Sequence, residues 1–122
     1  MSELDKTTSG NLINADKVQG TNVYNMKGDK LGSIEDIVLD KVEGRVQYAV
    51  LSFGGFLGMG DKHYPLPWAS LKYDTSKSGY MVNLDKDRLE NAPAYNPDEQ
   101  IDWTPDFSRM VDTYYQGPGN WR

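Results

Sequence analysis

The chain reads as a mostly-β protein: a small antiparallel barrel with short helical turns and a C-terminal amphipathic helix. Three observations predict this. Residues 45–53 form the run RVQYAVLSF, in which Ala49, Val50 and Leu51 are consecutive apolar residues. Successive strand residues point to opposite faces, so such a run meets apolar matter on both sides and marks a central strand. Short β-prone segments with Gly- and Asp-rich turns flank it. Finally, Thr104-Pro105-Asp106 opens a segment whose apolar residues recur at helical spacing.

In order, residues 1–11 are small and polar, and a mobile arm is expected there. A turn is predicted at 14–18 and a short strand at 21–24. Asn25 to Asp29, with Gly28, reads as a hairpin turn. Leu31, Ile34, Ile37 and Val38 have helix-like spacing, yet Gly32 and the flanking turns favour a strand over 30–40. A β-bulge near Glu35-Asp36 would return Ile34 and Ile37 to one face. Residues 40–44 read as a hairpin loop, with Gly44 supplying a positive φ. In the strand that follows, Val46, Tyr48 and Val50 share one face, and Ala49, Leu51 and Phe53 the other.

Residues 54–60 are the glycine-rich loop GGFLGMG. Lys62 to Tyr64 is a short strand, and Pro67 is placed at the first position of a helical turn through Leu71. A last hairpin joins 72–74 to 80–84. Asp85 caps a short helix that Pro93 stops. Residues 94–103 read as a linker. Beyond it Phe107, Met110, Val111, Tyr114 and Tyr115 form one helical face, which Gly117 ends. The expected organisation is an arm (1–11), one domain (12–93), and a linker with an amphipathic tail (94–122).

Length fits one domain with short extensions: 122 residues. There is no cysteine, which removes disulfides and thiolate metal sites and fits a reducing compartment. The net charge of −5, with no basic stripe, argues against direct nucleic-acid contact. No apolar stretch approaches the ~18 residues of a membrane span, and residues 1–11 lack a signal-peptide core. A cytoplasmic location is therefore expected.

Candidate chemistry is sparse. GGFLGMG lacks the G-x-x-x-x-G-K-[ST] pattern of a phosphate loop. His63 is the single histidine, and a zinc site needs several such ligands. Asp85, Asp87 and Glu90 lack the spacing of a calcium loop and read as helix-cap charge. No cofactor, metal or catalytic set is expected. Phe56, Leu57 and Met59 are apolar residues on a loop, a candidate partner surface. Trp103, Phe107, Met110, Val111, Tyr114, Tyr115 and Trp121 are the candidate docking face of the tail, on its own barrel or on a second protomer. Intramolecular docking has the higher effective concentration.

Five segments, taken together and in order, resemble the PRC-barrel domain family: GTNVYN at 20–25, GDKLGSIEDI at 28–37, DKVEGRVQYAVL at 40–51, PLPWASL at 65–71 and RLENAP at 88–93. That fold occurs in the cytoplasmic part of the photosynthetic reaction-centre H subunit and in a ribosome-maturation factor. The resemblance covers residues 12–93 and carries no shared catalytic residues. It implies a non-enzymatic binding and assembly module, expected to form a homodimer and to engage a protein partner of unknown identity. Two alternatives stay open: a ribosome- or RNA-processing-associated factor acting through a protein partner, and a small-ligand binder using the barrel mouth.

Overall fold

The structure is a computed structural model that describes residues 10–54 and 61–116. A one-turn helix α1 (Ala15–Val18) leads into β1 (Asn22–Tyr24), followed by β2 (Lys30–Asp40), β3 (Arg45–Gly54) and β4 (Asp61–Pro67). A 3-10 turn (Trp68–Ser70) connects to β5 (Leu71–Asp74) and β6 (Gly79–Val82), and α2 (Lys86–Glu90) and α3 (Pro105–Gln116) complete the chain. The six strands form one mixed, curled sheet in the order β4-β3-β2-β1-β6-β5. The mostly-β expectation holds. Within it, the β1–β6 pair is parallel and all others are antiparallel. More than fifty residues separate those two strands, so no tight turn forces them antiparallel.

The expected strand over 30–40 is β2, and its bulge sits where the pattern required it. Ile34 opposes Leu51 and Asp36 opposes Val50, so Glu35 is the extra residue. Ile34 is buried and Glu35 exposed. Gly32 leaves no room for a side chain against β3: a Cβ there would lie 2.0 Å from the Ser52 carbonyl oxygen. The loop after β2 closes through Asp40, whose carboxylate accepts from the Val42 and Glu43 N–H groups. Those bonds hold the Asp40 carboxyl below its usual pKa. Gly44 carries φ +76°.

Three strand details differ from expectation. A second register shift sets Leu39 opposite Val46, leaving Gln47 as the extra residue on β3. Val46 therefore joins Ile37 and Leu39 along a groove instead of sharing the face of Tyr48. β4 runs on through Pro65-Leu66-Pro67, and Pro67 both ends the strand and caps the expected helical turn, which runs over Trp68–Ser70. The reason is position and parity. β4 is an edge strand, and His63 turns its N–H and C=O outward. Pro65 and Pro67 share that parity, so the N–H each lacks would have had no sheet partner. Trp68 is half-buried against Tyr80.

The core lies inside the curl of the sheet. Val23, Ile34, Leu51, Leu66, Val82 and Leu89 are almost fully buried there. The Asp85 carboxylate caps α2 through the Arg88 N–H at 2.8 Å, as expected.

Candidate functional site

Three regions bear on function: the side covered by α3, a hollow around His63, and a groove at the open end of the sheet.

On the first, Thr104 caps α3: its hydroxyl accepts from the Phe107 N–H at 3.2 Å. Val111 and Tyr115 are buried, and Trp103, Phe107 and Tyr114 pack half-buried against the same core. The Tyr48 hydroxyl donates to Asp112 at 2.8 Å, and its ring stacks on Trp103 at 5.4 Å. Burial, then the hydrogen bond and charge of Asp112, push the Tyr48 hydroxyl up to about 12. Arg88 of α2 donates to the Tyr114 carbonyl at 2.7 Å and lies over its ring, and the Tyr114 hydroxyl donates back to the Arg88 carbonyl. Thus α3 sits on the sheet of its own chain.

Met110 departs from the expected docking face, being half-exposed. At about 100° per residue, Val111 and Tyr115 define a buried direction roughly 120° from Met110. The five-residue stripe is wider than the surface it covers, and Met110 is its outer rim. Phe56, Leu57, Met59 and Trp121 lie outside the described residues.

The hollow around His63 measures about 430 Å³, and Glu35, Asp36, Tyr95, Glu99 and Trp103 line it with the histidine. Tyr95 pairs with His63 through two backbone hydrogen bonds of 2.9 and 3.0 Å, which adds a bridge to the β4 edge. The segment 94–103 is therefore tied to the sheet edge at Tyr95. Burial raises the Tyr95 hydroxyl, and the Asp36 and Glu35 charges raise it further. Among the described residues no lysine or arginine lines the hollow. The His63 ring meets Tyr95 edge-on.

At the open end, α1 and the ends of β2 and β3 frame a groove of about 480 Å³. Its walls are mostly apolar: Ile13, Ile37, Leu39, Val46, Trp68 and Tyr80. This groove was not singled out in the sequence. Its walls come from five segments far apart in the chain. The available signal was Val42, an exposed apolar residue in a tight hairpin loop.

Among the described residues no helix is long and apolar enough to cross a membrane, and no three acidic or histidine side chains converge as metal ligands. The chain is 26% identical over 116 residues to an uncharacterized protein of Deinococcus radiodurans, a match that takes in 93% of this chain and 39% of that protein. The chain thus spans well under half the length of that relative. Residues 10–89 match the PRC-barrel domain, a stretch that holds all six strands and leaves α3 beyond its end. With that match and a six-stranded curled sheet, the chain belongs to the PRC-barrel domain family.

Proposed function

We propose that this chain is a non-catalytic interaction and assembly module that self-associates and works in the cytoplasm through protein contacts, without binding nucleic acid directly. The observation that carries the reading is the set of exposed large apolar side chains around the groove: Leu39 on its wall, Val42 in the hairpin beyond it, and Tyr73 against its Tyr80 wall. The exposed part of such side chains adds nothing to the stability of a lone domain, and clustered ones mark binding surfaces. Membership in a family whose domains generally mediate protein interactions supports it. The arrangement around His63, with ring and backbone both engaged by Tyr95, supports a non-enzymatic role.

Sedimentation velocity over a concentration series tests this. Self-association is expected to appear by tens of micromolar, the range of weak specific pairs. A single monomeric species throughout contradicts it.

The hollow lined by Glu35, Asp36 and Glu99 favours a second reading, in which the partner is basic. A ribosome- or RNA-processing-associated role would then run through a basic protein. The apolar groove is also large enough to take a small ligand, at about 480 Å³. Native mass spectrometry of the purified chain would reveal a retained molecule.

A further inference from the structure

We infer that the groove at the open end of the sheet is the surface through which two copies of this chain pair, each presenting the same patch to the other. The inference rests on the self-association proposed above and assigns it a place.

Seven large apolar residues are exposed among the described residues. Five gather at this end. Leu39 and Ile13 line the groove, and Leu12 adjoins Ile13. Val42 tops the β2–β3 turn just beyond Leu39 and Val46, and Tyr73 leans on Tyr80 with ring centroids 5.2 Å apart. The other two, Met26 and Met110, stand elsewhere: Met26 in the turn at the opposite end of β2, Met110 on α3.

Area favours a second copy over a small molecule. A large apolar side chain offers roughly 60–120 Å², so the patch presents several hundred Å². A standard interface buries about 800 Å² per partner, with an apolar core of about 65%. The patch is of that order and much wider than the groove at its centre.

Charge also favours a second copy. The chain carries −5 overall, which opposes self-contact across most of its surface. The segments framing the groove are nearly balanced. The β2–β3 hairpin holds Asp40 and Glu43 with Lys41 and Arg45, and the groove wall carries Asp16, next to Lys17 in sequence, and Asp36, so these segments sum to about one negative charge. A basic peptide would gain little here and much more at the hollow around His63. A two-fold pair closes on itself and leaves no open chain of contacts.

The test is sedimentation equilibrium on the full chain and three variants. L39E and V42E alter exposed side chains, so circular dichroism and melting temperature are expected to stay at the parent values. Each is expected to raise the dimer dissociation constant by about 30-fold or more, the scale of an interface hot spot. M26E, an equally exposed site outside the patch, is expected to leave it unchanged. A parent chain that stays monomeric overturns both this inference and the self-association reading. A parent dimer that survives both L39E and V42E overturns this inference alone, as does a dimer lost on replacing Phe56 or Leu57 by serine while the groove variants keep it. An apolar small molecule bound stoichiometrically to a monomer in native mass spectrometry gives the groove a different occupant and also overturns it.

Discussion

The β4 edge and the open ends of β2 and β3 start from similar material and finish in opposite ways. Both expose apolar residues of the same curled sheet. Along β4 the chain comes back to cover what it made: Tyr95 bridges to His63, prolines replace the outward N–H groups, and α3 buries Val111 and Tyr115. Among the described residues nothing comparable covers Leu39, Val42 and Tyr73, which stand 53%, 88% and 44% exposed. An unfinished sheet edge invites pairing with any strand. On the reading proposed above, closing the β4 edge while leaving an apolar end open favours association at that end. Stability is therefore expected to reside on the covered side, and association on the open one.

That contrast breaks most sharply at Tyr115. Tyr115→Ala removes a buried ring on the covered side and is expected to cost about 3–5 kcal/mol in urea unfolding. A loss below about 1 kcal/mol would mean that α3 adds little to the fold. Arg88→Ala removes the charged donor to the Tyr114 carbonyl and the cation over its ring, with an expected loss of about 1.5–3 kcal/mol.

Tyr48→Phe deletes one hydroxyl, at an expected cost of about 0.5–1.5 kcal/mol. It also carries a pH signature. The folded-state value for Tyr48 is raised to about 12. Its contribution is therefore complete below its ordinary value of about 10 and is lost as pH rises through about 12. Fluorescence of Trp103, stacked on Tyr48, is expected to report α3 loosening in that window. The step is expected to shrink in Tyr48→Phe, and an unchanged step would remove Tyr48 from the role. At the small end, Val42→Ser on the open side is expected to shift monomer stability by no more than about 0.5 kcal/mol. A cost above 1 kcal/mol would mean that Val42 packs within its own chain.

Local pattern carried much of the fold. The bulge at Glu35 follows from the three-residue step between Ile34 and Ile37, Gly44 from the loop it closes, and the α3 boundaries from Thr104, Pro105 and the apolar spacing. What stayed hidden depends on partners distant in sequence. Parallel pairing of β1 with β6 has no local signature. Pro65 and Pro67 look like strand breakers until β4 is known to be an edge with its odd residues turned outward. Gln47 reverses Val46 only because of the register that β2 imposes. Met110 fits the helical stripe but lies beyond the width of what α3 covers. The groove was least legible, because α1, β2, β3, Trp68 and Tyr80 meet only once the sheet curls.

The most direct test of the division between a covered side and an open side is amide hydrogen exchange, followed by mass spectrometry at low and high protein concentration. Exchange reads local opening free energy segment by segment. If α3 docks on its own chain and the open end pairs two copies, protection across Pro105–Gln116 stays constant with concentration, while protection across the β2–β3 hairpin rises. If protection of Pro105–Gln116 rises with concentration and the hairpin stays flat, the tail is a clasp between protomers, and the account is wrong about both sides.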